Sequence, residues 1–245
     1  MEKKPITVLF DLDGTLLPMK QSVFVDDYFR RLGQYAASYG FDPEKLPGAI
    51  WKGTAAMVAN DGTMPNEQRF WEVFHQLTGR GNKEDQDRFL QFYLDEFPNV
   101  RPVCGFDPRA AELVRSLKED GYDLALATNP VFPRPATMER ISWAGLDPDD
   151  FRLITTYEMC TTCKPNPEYF REVCRMLEVK PEQCVMIGND AVEDTAALQA
   201  GIPVFLITDW LENGTEAELQ VPHGTFTDAA EWIRKQTDAA LSASH

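Results

Sequence analysis

The sequence predicts an α/β protein: a doubly wound parallel sheet with an all-helical unit inserted into it. Three observations predict this. Five short runs, at residues 6–10, 124–127, 151–154, 184–187 and 204–207, are almost continuously apolar. Strands buried on both faces, as in parallel sheets, read this way rather than alternating. Stretches with helical patterning fall among the last four runs, which makes βαβ units with right-handed crossovers. Roughly 110 residues separate the first run from the second, far more than one crossover needs. A chain of 245 residues is long enough for a domain plus an insert of this size.

Each element has its own signal. The first strand, 6–10, ends at an acidic turn. The interval after it reads as helix upon helix, at 23–38, 43–59, 66–77 and 83–97. Its many aromatics, among them Phe24, Tyr28, Trp51, Phe70, Trp71 and Phe89, give the insert enough apolar bulk for a small core of its own. The expected division is a core domain of residues 1–17 and 100–245 and a cap domain of residues 18–99. Pro98 and Pro102 suit the second hinge. A helix over 110–119 places Ala111, Val114 and Leu117 on one face and stops at Gly121. The strand at 124–127 follows, then the one at 151–154. Residues 167–177 form a helix that opens on Pro167. After the strand at 184–187, residues 191–200 read as a helix closed by Gly201, before the strand at 204–207. A tail helix carries Trp232 and Ile233, and residues 239–245 are expected to fray.

Composition narrows the partners. The formal net charge is -15, which repels phosphate backbones and anionic membrane surfaces, so nucleic acid and lipid are excluded as expected partners. A small anion needs a local cation here, and a phosphorylated metabolite therefore implies a metal. No run approaches the roughly 20 apolar residues that span a bilayer. The Lys3–Lys4 pair precedes an apolar run too short for a signal peptide. Five cysteines without an export signal point to reduced thiols in the cytoplasm.

Chemistry-bearing residues gather at strand ends. The first strand runs into Asp11-Leu12-Asp13-Gly14-Thr15, two carboxylates at spacing two followed by a glycine that allows a tight turn. The second ends in Thr128-Asn129, and Lys164-Pro165 follows the third. The fourth ends in Asn189-Asp190, with Asp194 one helical turn on. All are delivered to the carboxyl edge, where open α/β sheets bind ligands. One lysine cannot balance Asp11, Asp13, Asp190, Asp194 and a phosphate, so a divalent ion is expected.

As a set, in this order, these residues resemble the four motifs of the haloacid dehalogenase superfamily, and in particular its phosphatase branch. The insert is similar to that family's helical cap of the first type. The resemblance implies a phosphohydrolase acting on a small phosphomonoester. Asp11 would be the nucleophile and form an aspartyl-phosphate, and Asp13 would be the general acid and base. Thr128 and the backbone N–H of Asn129 would hold phosphoryl oxygens, and Lys164 would neutralise charge on Asp11 and the phosphoryl group. Mg²⁺ would be held by the side chains of Asp11 and Asp190 and the carbonyl of Asp13. Asp194 would orient Lys164 or a metal-bound water. Asn189 departs from the family's usual Gly or acid before the metal aspartate, and would position a metal water or satisfy backbone. Asp13 separates this chain from the dehalogenases, which lack that acid. A phosphomutase acting on a sugar phosphate, and a non-catalytic regulatory protein with this fold, are the alternatives.

Substrate choice is expected from cap residues Lys20, Trp51, Lys52, Thr54 and Met57 and from the loop 60–66. Trp51 as cap core and Lys52 as a solvated lysine are the plainer readings. Cys160 and Cys163 have the spacing of half a zinc site, but no second pair or histidine cluster completes it. They read as two loop cysteines ahead of Lys164, and Cys174 and Cys184 as core.

Overall fold

One parallel sheet organises the chain. A computed structural model describes residues 5–243; Lys3, Lys4 and His245, which the sequence reading used, lie outside the described residues. The strands are β1 (Thr7–Phe10), β2 (Asp123–Leu126), β3 (Leu153–Ile154), β4 (Cys184–Gly188), β5 (Val204–Ile207) and β6 (His223–Gly224). Their spatial order is β3-β2-β1-β4-β5-β6, all parallel. β1 is central, and Phe10 lies level with Leu126 on one side and Ile187 on the other. That register brings the residues just after β1, β2 and β4 to one edge.

Both faces of the sheet are buried, as the continuous apolar runs require. Val8, Phe10, Leu124, Leu126, Val185 and Ile187 belong to one apolar cluster. Leu9, Ala125, Met186, Val204 and Leu206 belong to the other. The second cluster is closed by α7 (Pro167–Leu177), through Tyr169, Phe170 and Val173, and by a 3-10 helix at Thr195–Ala200. The first is covered by α5 (Pro108–Glu119), α6 (Arg134–Trp143) and α8 (Phe226–Ala243).

Between β1 and α5 lie the four expected helices, α1 (Gln21–Ala37), α2 (Leu46–Val58), α3 (Asn66–Thr78) and α4 (Lys83–Asp95). Their aromatics are continuous with the first sheet cluster rather than separate from it. Phe97 stacks on Trp143 of α6 with ring centroids 5.1 Å apart, and Tyr28 meets Phe132 at 5.5 Å. The two linkers to this helical unit are tied together. Met19 and Cys104 form an antiparallel bridge, and Gly105 N donates to Pro18 O at 2.7 Å. A Cβ on Gly105 would lie 2.9 Å from the Pro18 side chain, so the close crossing needs glycine.

The structure adds two elements and corrects two local expectations. Helix α6 was not anticipated, because its inner face carries Arg140, which breaks the apolar stripe. Strand β6 is only two residues long. The stretch 191–200 is not one helix: residues 191–194 turn, and only Thr195–Ala200 is helical, as 3-10. Asp190 Oδ1 accepts from the N–H groups of Val192 and Glu193 at 2.8 Å each, and these bonds hold the turn. The tail does not fray at 239, since α8 continues to Ala243.

Candidate active site

The carboxyl edge gathers the predicted residues around one buried lysine. Lys164 is fully buried, and its Nζ donates to Asp11 Oδ1 at 2.8 Å and to Asp194 Oδ1 at 2.7 Å. Asp11 is placed by β1, whose ladder extends one step further as Asp11 N donates to Ile187 O at 2.9 Å. Asp194 turns its second oxygen to the loop after β4, where Oδ2 accepts from the N–H groups of Asn189 and Asp190 at 2.9 Å each. A Cβ on Gly188 would fall 2.0 Å from Asp194 Oδ2, so glycine at the end of β4 lets that carboxylate sit there. Asp194 thus bonds both Lys164 and the loop that carries Asp190.

Asn189 joins two motifs. Its Oδ1 accepts from Thr15 Oγ1 at 2.9 Å, and its Nδ2 donates to Trp210 O at 2.7 Å. Gly14 sits at φ +83, and a Cβ there would lie 2.2 Å from Asn189 Nδ2. The turn after Asp13 and the turn after β4 are thus packed backbone against side chain, and Gly14 is required twice over.

Asn129 lies at the same edge. Its Oδ1 accepts from Lys164 N at 3.2 Å, and its Nδ2 donates to Glu193 Oε2 at 2.9 Å. Thr128 is buried, and its carbonyl accepts from Thr155 Oγ1 at 2.7 Å and Tyr169 Oη at 2.8 Å. Asp11, Asp13, Thr128, Asn129, Asp190 and Asp194 all line one cavity of about 440 Å³ that reaches up to α1–α4. Of the cap residues expected from the sequence, Trp51 and Thr54 line it. Lys20 and Lys52 are exposed outside the lining and Met57 is buried in the core.

Two residues escaped the sequence reading. Arg140, 1% exposed, reaches from α6 to pair with Asp13 Oδ2. Its guanidinium lies 4.5 Å from the centroid of the Phe132 ring, and its Nε donates to Ala136 O at 3.2 Å. The available signal was an arginine beside Ile141 and Trp143 in a stretch otherwise suited to a buried helix face. Glu193 is the second, held by Asn129 and lining the cavity.

The electrostatics are those of crowded acids. Burial pushes Asp11 up to about 8; Lys164 opposes this, while Asp194 and Asp13 add to it. Burial raises Asp13 too, against the pull of Arg140. Glu193 is pushed up to about 7, first by burial and then by Asp190 and Asp194, with Lys164 opposing. Burial disfavours the charged form of Lys164, but Asp11 and Asp194 reverse this and hold its proton. Asp13 Oδ1 is buried with no hydrogen-bond partner among the described residues.

This donor set fits a hard divalent cation. Asp11, Asp13, Asp190 and Asp194 crowd one cavity, and Asp13 has a buried oxygen without a hydrogen-bond partner among the described residues. Among the described residues, no three His, Cys, Asp or Glu side chains converge to hold a metal by themselves. An ion here would use few side chains, with carbonyl and water completing the shell, as magnesium does. The pair Cys160 and Cys163 belongs to no such cluster. Both are buried free thiols, Cys163 meeting Asn66 Nδ2 at 3.2 Å.

Comparison with known proteins agrees with this geometry. The family model described as haloacid dehalogenase-like hydrolase matches residues 7–201. The plasmid phosphoglycolate phosphatase of Cupriavidus necator is 29% identical over 203 residues, covering 82% of this chain and 79% of that protein. Pyrophosphatase PpaX of Bacillus cereus is 22% identical over 218 residues, covering 88% of this chain and 89% of that one. A solved HAD phosphatase from Thermococcus onnurineus superposes with a TM-score of 0.59 at 18% identity, over 93% of this chain and 97% of that one. With the family model spanning most of the chain and the motif residues assembled at one sheet edge, this protein belongs to the haloacid dehalogenase-like hydrolases.

Proposed function

We propose that this protein is a Mg²⁺-dependent phosphatase that hydrolyses a small phosphomonoester through an aspartyl-phosphate on Asp11. One observation carries the reading: Asp11 is seated on the fully buried Lys164, itself braced by Asp194, at the floor of a cavity that also receives Asp13. A nucleophilic carboxylate held by a fixed cation, with a second acid beside it, is the equipment for two-step phosphoryl transfer.

In the first step an Asp11 oxygen attacks phosphorus and the bond to the leaving oxygen breaks. Asp13 gives that oxygen a proton. In the second step a water attacks phosphorus, its proton goes to Asp13, and the bond between Asp11 and phosphorus breaks to release phosphate. Lys164 offsets charge on Asp11 throughout. Thr128 and the N–H of Asn129 bind phosphoryl oxygens. Arg140 holds Asp13 by Oδ2, while Oδ1 has no hydrogen-bond partner among the described residues. Mg²⁺, held by Asp11, Asp190 and the carbonyl of Asp13, would offset the charge of carboxylates and phosphate together. We assign the cap to residues 18–99, with the core formed by residues 1–17 and 100–245. Its enclosing position suits a small substrate shielded from water during reaction. The five free thiols suit a reducing compartment such as the cytoplasm.

The test is phosphate release from a panel of small phosphomonoesters, with Mg²⁺ and with EDTA, by wild type and Asp11→Asn. Metal-dependent release that is lost in Asp11→Asn supports the reading. Release that persists in Asp11→Asn overturns it.

A further inference from the structure

The cavity above Asp11 has two unlike ends. Its floor is the carboxyl edge of the sheet. The walls beneath the cap are aromatic: Tyr28, Phe70, Trp71, Tyr93, Phe132 and Tyr157. A volume of about 440 Å³ leaves room for a ring-sized organic group beside a phosphoryl group.

The aromatic end is also acidic. Glu67 stands in the first turn of α3, and its backbone N–H donates to Tyr157 O at 2.9 Å, which brings it to the loop carrying Glu158. Glu158 Oε1 accepts from Arg134 N at 2.8 Å, while its Oε2 is buried with no hydrogen-bond partner among the described residues. Burial raises the proton affinity of Glu67 and the charge of Glu158 raises it further, while Lys83 opposes. Among the described residues lining the cavity, the one basic side chain is Lys83, and it already pairs with Asp87 at 2.8 Å.

Such an end repels a second anion and carries an excess of negative charge. Aromatic faces attract cations through their quadrupole, and nearby carboxylates strengthen the attraction. An organic ammonium meets these conditions: it fits the rings, brings positive charge beside Glu158, and relieves the repulsion between Glu67 and Glu158.

We propose that the substrate is a phosphomonoester whose leaving alcohol is a ring-sized organic ammonium, bound between Glu67, Glu158 and the aromatic walls. As a substrate assignment this rests on the phosphatase reading above; as a cation site it stands without it. A phosphorylated carboxylic acid such as phosphoglycolate, the substrate in the name of the Cupriavidus relative, meets acidic residues there instead of a free cation.

Three esters of one shape separate the possibilities: para-aminomethylphenyl phosphate, phenyl phosphate and para-carboxyphenyl phosphate, compared by kcat/KM with Mg²⁺. The cationic ester should exceed the neutral one by on the order of tenfold, and the carboxylate ester should fall below the neutral one. In Glu158→Gln and Glu67→Gln the preference for the cationic ester should shrink towards one. Binding of benzyltrimethylammonium, read by tryptophan fluorescence, reports the same site without turnover. Phosphate release with no preference, or with preference for the carboxylate, overturns the cation site and leaves the phosphatase reading intact. Cation binding without phosphate release from any ester overturns the phosphatase reading and keeps the site. Absence of cation binding overturns the site whatever the turnover.

Discussion

At the scale of single residues, Asp13 and Arg140 divide the labour that one acid cannot do alone. Asp13 must give and take a proton while staying in place, and the buried guanidinium fixes one of its oxygens. Asp13→Asn should lower kcat by about 10²- to 10⁴-fold for an alkyl phosphate. The loss should be smaller for para-nitrophenyl phosphate, whose leaving group needs no proton; steady-state rates on the two esters check this. Arg140→Met leaves Asp13 uncompensated in a buried place. It should destabilise the fold by about 3–5 kcal/mol, measured by urea unfolding, with Arg140→Lys recovering part of it. Asp11 gives a pH signature. Its folded value of about 8 lies above its ordinary 3.8, so between these the native state binds more protons than the unfolded chain. Stability therefore falls as pH rises from about 4 to about 8 and levels off beyond, in protein kept metal-free with EDTA. Asp11→Asn should flatten that slope, as read from Tm against pH. Asp11, Asp13, Lys164 and Asp194 were legible in the sequence because their spacing and order are specific. Arg140 was not, because an arginine on a helix reads as surface until the structure shows what lies beneath it.

At the scale of elements, the start of α3 supplies a polar contact between cap and core. Asn66 is fully buried. Its Nδ2 donates to Thr162 O at 3.2 Å, its Oδ1 accepts from Asn60 Nδ2 at 2.8 Å, and its backbone N donates to Cys160 O at 2.8 Å. Asn66→Ala should cost about 1–3 kcal/mol of stability by stranding those partners, checked by chemical denaturation. The elements themselves were readable where one period dominates: five of the six strands and all four cap helices stand where the apolar pattern puts them, within a few residues at each end. They were unreadable where tertiary contacts override the local pattern. Residues 191–194 turn between Asp190 and Asp194, whose carboxylates bond backbone N–H groups and, for Asp194, the buried Lys164. α6 hides because its buried face holds a charge that Asp13, the Phe132 ring and the Ala136 carbonyl make tolerable.

At the scale of the whole molecule, a chain of net charge -15 concentrates carboxylates at both ends of one cavity and encloses them beneath a helical cap. Such a site is stable only with cations, and Lys164 and Arg140 are already engaged. Mg²⁺ should therefore raise Tm by mass action, by about 2.7 kcal/mol of stability at one hundred times its Kd, with the increment reduced in Asp190→Asn. The central claim is covalent: phosphorus passes through Asp11. Acid-quenched turnover followed by mass spectrometry of the peptide containing Asp11 tests it most directly. The account predicts one added phosphoryl group on Asp11 in wild type with Mg²⁺ and substrate, absent in EDTA and in Asp11→Asn. Undiminished turnover by Asp11→Asn, or a phosphoryl group on another residue, would contradict it.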